Sequence, residues 1–268
     1  MPKSSRGGKA GATTTFTMRQ PQYHPVTNPR PTTQAAPQPT PQPVQQNQAS
    51  ASYDAFRKMT DDQKADVIMQ AQNTQVPIFL AQNDLQKIMY GLKLNDKPTL
   101  VDDSVLDSTP GKELFRTVNA QNDQSHRIKY TATDVANQVI RGSVTRVSDT
   151  GGSVHGRGIY FADSYHGSTP YGRSRNNLSQ TAVVRVKLSP SAKTISTTAA
   201  ARGVTKEINS GSKLGKALSR IGHQDQTAVW SLAKGYDAMV ASNGYHVVIN
   251  RSSLIASKDI KAMGHSWK

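Results

Sequence analysis

The sequence predicts an α+β fold built on two packed sheets, with a small helical segment ahead of it and a disordered basic arm in front. Three observations carry this. Residues 1 to 50 hold Lys3, Arg6, Lys9, Arg19 and Arg30 with no acidic residue, and the tract "PTTQAAPQPTPQPVQQNQAS" offers too little apolar surface to offset the entropy of ordering. From Tyr53 onward, apolar residues recur at helical spacing behind capping signals. From about 127, short β-branched and alternating runs take over. The expected divisions are an arm over 1–52, a helical segment over 53–126 packing on the domain, and the main domain over 127–268.

The arm is Pro/Gln-rich and extended, a tether with reach or a phosphate-contacting segment; no aromatic–basic interleaving beyond Tyr23 supports base stacking. In "MTDDQKADVIMQAQ", Thr60 precedes Gln63 by three residues, a capping-box pattern with Asp61 and Asp62 in the first turn, so a helix is expected from 61 to 72. A second helix is expected across "LAQNDLQKIMYGL", where Leu80, Leu85, Ile88 and Met89 share a face and Gly91 ends it. "LNDKPTLVDDSVLD" reads as a turn and a short capped helix.

"VANQVIRGSVTR" reads as a strand around Arg141. "TAVVRVKLS" alternates, with Ala182, Val184, Val186 and Leu188 on one face and Val183, Arg185 and Lys187 on the other. "SGSKLGKALSR" reads as a basic loop running into a short helix. "DQTAVWSLAKG" reads as a helix capped by Asp225 and closed by Gly235, and "YDAMVA" and "YHVVIN" as strands.

Composition narrows the chemistry. A formal charge of +15 favours polyanions as partners, and 35% hydrophobic content fits a chain that is partly unfolded. With no cysteine, thiolate nucleophiles, disulfides and zinc ribbons are excluded. The histidines show no metal-ligand spacing, so no metal is expected. No apolar run approaches the roughly 18 to 20 residues that span a bilayer, and "MPKSSRGGKA" lacks a secretory core, so a cytoplasmic location without membrane contact is expected.

The richest stretch is "GRGIYFADSYHGSTPYG", residues 156 to 172. Gly156, Gly158, Gly167 and Gly172 surround a short apolar run, Ile159 to Ala162, together with Tyr160, Tyr165 and Tyr171. Glycines let a ligand approach the backbone, and tyrosines supply flat faces for a planar ring. A structural glycine hairpin would use the same residues.

This stretch resembles the ADP-ribosyltransferases, above all their poly(ADP-ribose) polymerase branch. There the pattern is Gly-x-Gly-Ile-Tyr-Phe-Ala followed by Ser-x-x-Tyr; here it stands as Gly156, Gly158, Ile159, Tyr160, Phe161, Ala162, then Ser168 and Tyr171. Arg141, Gly142 and Ser143 match a mixture of the family's His-Gly-Ser and Arg-Gly motifs. "GYDAMVASNGYHVVINRSSL" is similar to the final strands of ADP-ribosyltransferase-like domains of bacteriophages and bacteria. The resemblance covers about 127 to 258.

What the resemblance implies is a split β-sandwich that holds NAD as substrate. Gly142 would meet the nicotinamide carboxamide through its backbone, Ser168 through its hydroxyl, and Tyr171 and Tyr160 would wall the ring, with Ser143, Gly158, Phe161 and Ala162 completing the pocket. Arg141 would meet the pyrophosphate or ribose. In active members a glutamate near the start of the late strand hydrogen-bonds the ribose; here alignment puts Tyr245 or His246 there, and Asp225 and Asp237 are the nearest acids by sequence. The implied activity is therefore mono-ADP-ribosylation of a protein or nucleic-acid acceptor. The alternative is a silent fold serving in a virion, where the arm contacts nucleic acid or other subunits. For a phage-encoded protein the location would be host cytoplasm or virion.

Overall fold

The computed structural model describes residues 53–76, 83–92, 97–122, 125, 127–141, 157–171 and 181–262, all within the unit Asn47–Lys268. The arm over 1–52 lies outside the described residues, as do Leu80, Gly142, Ser143, Gly156 and the side chain of Tyr171.

The first helices follow the sequence signals. Helices α1 (Tyr53–Lys58), α2 (Asp61–Asn73) and α3 (Asp84–Gly91) come in succession. The capping box before α2 forms as its spacing requires: Gln63 N donates to Thr60 Oγ1 at 3.2 Å and Thr60 N donates to Gln63 Oε1 at 2.9 Å. Ala65, Ile68, Leu85, Ile88 and Met89 are buried.

The stretch after α3 holds the expected short helix, α4 (Asp103–Ser108), but strand β1 (Thr99–Val101) precedes it, and strand β2 (Glu113–Asn119) and a small ribbon of β3 (Gln121–Asn122) with β4 (Ile128–Tyr130) follow. A second correction concerns "VANQVIRGSVTR", whose described part is not a strand but the end of helix α5 (Ala132–Arg141). Its buried residues Ala132, Ala136, Val139 and Ile140 lie four, three and one apart, which is helical spacing. Asp134 N donates to Thr131 Oγ1 and Thr131 N to the Asp134 carboxylate, capping the start.

The remaining elements are β5 (Ile159–Ala162), α6 (Tyr165–Ser168), a 3-10 turn over Thr169–Tyr171, β6 (Thr181–Leu188), β7 (Thr194–Ser196), α7 (Thr197–Asn209), α8 (Lys213–Leu218), α9 (His223–Ala233), β8 (Ala238–Val240), β9 (Tyr245–Val248), β10 (Leu254–Ser257) and β11 (Lys261–Ala262). Gly222, not Asp225, is the N-cap of α9, and Asp225 sits inside the first turn. Gly235 follows α9 with φ at +81°, a backbone conformation that suits glycine.

Nine strands form one mixed sheet in the order β1-β10-β6-β2-β5-β9-β8-β7, with β11 also pairing β6. Only β1–β10 and β7–β8 are parallel. The sequence predicts two packed sheets; the structure has instead one large mixed sheet, within which the joint between β2 and β5 is narrow. Pairing of β2 with β6 runs from Glu113↔Lys187 to Asn119↔Thr181, and β5 with β9 from Ile159↔Val248 to Ala162↔Tyr245, whereas β2 meets β5 at one pair, Phe115↔Ala162.

Both sides of this seam feed one apolar cluster around α5. Leu114, Val184 and Val186 from one half meet Phe161, Ala238 and Val248 from the other. A second cluster lies under the helical layer, where α1 to α3 and α7 to α9 cover Met239, Val247 and, in part, Tyr160. Burying both faces of β8 and β9 is what turns these short segments into apolar runs, with alternate residues serving alternate clusters. No described helix is long and apolar enough to cross a membrane.

Candidate functional site at the sheet seam

Strand β5 sits at the middle of the sheet because its run Ile159–Ala162 is apolar on both faces, and it is locked at its start. Gly158 has φ at +151°, and a Cβ there would lie 2.7 Å from Val247 and 2.9 Å from the Val248 carbonyl. Only glycine lets the chain pass so close to β9. Arg157 ties the same point to the N-terminus of α9, donating from N to Gln224 O at 3.1 Å and from Nη2 to Gln224 Oε1 at 2.8 Å.

Beyond the pair Phe115↔Ala162, β2 and β5 cease to exchange ladder bonds. The Tyr160 carbonyl, two residues along on the same edge, accepts instead from Arg116 Nη1 at 3.0 Å. A guanidinium thus stands where a strand would otherwise pair. On the neighbouring turn of chain, Ser168 is buried; its hydroxyl donates to Tyr165 O at 2.8 Å and therefore accepts from Thr117 Oγ1 at 2.9 Å. The Tyr245 hydroxyl donates to Gly167 O at 3.1 Å.

At the end of β5 the polar character increases. Asp163 N donates to Gly244 O at 3.1 Å, and the Asp163 carboxylate pairs with Lys112 at 2.8 Å. Gly244, at φ +83°, packs so closely that a Cβ would lie 2.8 Å from the Asp163 carboxyl group. His246, paired across the strands with Phe161, is 9% exposed, and its Nδ1 has no hydrogen-bond partner. Burial holds the His246 pKa below its ordinary value, the Lys112 charge adds to this and Asp163 opposes it, so the ring is neutral near pH 7.

The sequence-expected residues are thus distributed unevenly. Tyr160, Phe161, Ala162, Ser168, Tyr245 and His246 gather on β5, β9 and α6 around the seam. Arg141 does not join them on a strand; it ends α5, is exposed, and its charge bears on Lys258 just after β10. Arg116 is the guanidinium the structure places beside the motif, and the sequence reading passed over it. The signal was available in "ELFRTVN", a short apolar and β-branched run interrupted by Arg116, which the structure buries at Leu114, Phe115, Thr117 and Val118.

The two acids considered as substitutes for a glutamate lie in other environments. Asp237 accepts from Arg57 Nη2 at 2.6 Å, Asn250 Nδ2 at 2.7 Å and Lys193 N at 2.8 Å. It borders a cavity of about 340 Å³ whose walls include Arg57, Asn250 and Ser252 but no residue of the 156–172 motif. Asp225 is buried beside Arg157, 3.7 Å from its Nε, and burial pushes its pKa up to about 6 against the opposing hydrogen bond from Leu85 N and the Arg157 charge. Among the described residues no group of three or more His, Asp or Glu side chains is placed to hold a metal ion.

Comparison with protein-family models, with curated proteins and with solved structures finds no match. The functional reading therefore rests on the sequence motif and on the geometry of the seam.

Proposed function

We propose that the chain binds NAD at the seam between β2 and β5 and transfers a single ADP-ribose to a macromolecular acceptor, which the motif's resemblance to ADP-ribosyltransferases implies. The observation that carries this reading is the seam itself. A sheet that parts after one residue pair leaves backbone groups and half-buried side chains at its centre, and the Gly-Ile-Tyr-Phe-Ala strand forms one wall. Tyr160 offers an aromatic ring on the face of β5 turned to the helical layer, Arg116 beside it a fork of donors suited to phosphate or ribose oxygens, and His246, on the opposite face with Phe161, a polar atom with no partner among the described residues. Positioning and fixed charge are the means of catalysis in such a site.

A different observation favours a silent scaffold of the same fold: the Tyr245 hydroxyl is already spent on Gly167 O, and no glutamate stands on β9. The deciding experiment is calorimetry with NAD and assay of nicotinamide release by the full chain, with Arg116→Lys and Arg141→Lys in parallel. Arg116→Lys is expected to lose at least about tenfold in turnover, because lysine cannot reproduce the fork, while Arg141→Lys stays near the parent. Absence of both NAD binding and nicotinamide release in the parent would leave the scaffold reading.

A further inference from the structure

The late strand lacks its acid, yet an acid from elsewhere reaches the same spot. Residues Phe161 and Ala162 pair with His246 and Tyr245, the two positions at which a β9 glutamate would stand. The next residue of the motif, Asp163, continues this register: its N donates to Gly244 O, and the glycine leaves no room for anything but the Asp163 carboxyl group. The Asp163 side chain is 34% exposed, so its carboxylate is open to a ligand while its position is fixed from two sides, by Gly244 behind and Lys112 across. Beside it, His246 keeps a buried Nδ1 with no partner inside the protein. Buried polar atoms are rarely left without a partner, and a bound ligand is one way to supply it.

We propose that Asp163 is the catalytic carboxylate of this site, supplied by the end of the motif strand in place of a glutamate on β9. The proposal rests on the NAD-transfer reading above. In the reaction the bond between ribose C1′ and the nicotinamide nitrogen breaks, its electron pair goes to the pyridinium ring, and neutral nicotinamide leaves. C1′ and the ring oxygen share the resulting positive charge until an acceptor oxygen or nitrogen adds its lone pair to C1′ and gives up its proton to solvent. A carboxylate next to the ribose stabilises that charge and accepts from a ribose hydroxyl, an electrostatic contribution realised mainly in the transition state. Lys112 fixes the carboxylate's direction, and His246 is a positioning residue for the ribose hydroxyls.

The test uses the full chain, NAD as the probe, nicotinamide release for turnover and calorimetry for affinity. Asp163→Asn is expected to lower kcat about 100-fold or more while NAD affinity stays within about threefold. Asp163→Glu, which keeps the charge, is expected to retain far more turnover than Asp163→Gln, and this pair carries the comparison if the Asn variant does not fold. Turnover of Asp163→Asn within about threefold of the parent, or equal turnover of the Glu and Gln variants, overturns the proposal and leaves the transferase reading in place. A parent that neither binds NAD nor releases nicotinamide overturns both.

Discussion

Asp237 and Asp163 are both carboxylates at strand ends, and the protein surrounds them very differently. Asp237 is 2% exposed and receives donors from α1, from the chain before β7 and from the turn after β9. Among the described residues Asp163 has one side-chain partner, Lys112, itself 60% exposed, and a neighbour, His246, whose Nδ1 is unpaired. A saturated carboxylate is a fastener, since every donor it holds would be costly to leave unmet. A carboxylate with spare acceptor capacity beside an unmet polar atom has been left open to something outside the chain. The contrast makes Asp237 a fastener and leaves Asp163 as the proposed chemical carboxylate, although the sequence reading considered Asp237 and not Asp163.

The most severe way to break this contrast is to remove the fastener. Asp237→Ala would strand Arg57, Asn250 and the Lys193 amide together, and the expected loss is about 3 to 5 kcal/mol of unfolding free energy. Denaturant unfolding measures it. A loss below about 1 kcal/mol would mean that the network around Asp237 is no more structural than a surface pair.

Asp225 sharpens the comparison through pH. Its folded pKa of about 6 lies above the ordinary aspartate value of about 3.9, so between those values the folded state keeps a proton that the unfolded state releases. Stability is therefore greatest at and below pH 4, falls as pH rises toward 6, and levels off above that, with a total change of about 3 kcal/mol at this burial. Asp225→Asn should flatten that part of the stability–pH curve, as measured by thermal unfolding from pH 4 to 7. An unchanged slope would assign the titration to another group and remove Asp225 from the latch between α9 and Arg157.

Much of the fold was legible because the signals were local. Thr60 with Gln63, Gly91 and Gly235, and the β6 strand all formed as their spacing announced. The failures had non-local causes. Val135, Val139 and Ile140 suggested a strand, and what prevailed was the Thr131–Asp134 cap with one buried helical face. Arg185 and Lys187 read as the charged residues of the second face of β6, and both are buried, because Asp103, Asp107 and Glu113 close on Arg185 and the carbonyls of Asp107 and Thr109 receive Lys187. Those partners lie 72 to 82 residues away in sequence, beyond any window of periodicity. The site shows the same division. The motif strand was visible as a motif, but that Arg116 rather than Arg141 stands beside it depends on which strand lies next to β5.

The smallest expected effect tests where the open region begins. The Ser168 hydroxyl stands at the edge between the two kinds of environment: the resemblance would have it touch the carboxamide of NAD, while the structure gives it Thr117 as donor and Tyr165 O as acceptor, at 3% exposure. With its only proton given to Tyr165 O, the hydroxyl has one remaining lone pair and little accessible surface. By the logic that separates Asp237 from Asp163, Ser168 belongs to the fastened side. Ser168→Ala leaves the Thr117 hydroxyl without its acceptor and should cost about 1 kcal/mol of stability, with NAD affinity changed by less than about threefold. Thermal unfolding and calorimetry on the same preparation read both quantities. A loss of about tenfold in NAD affinity with unchanged stability would place Ser168 in the nucleotide site, because only a bond made to the ligand and not within the fold can be missed in the complex and absent from the unfolding curve.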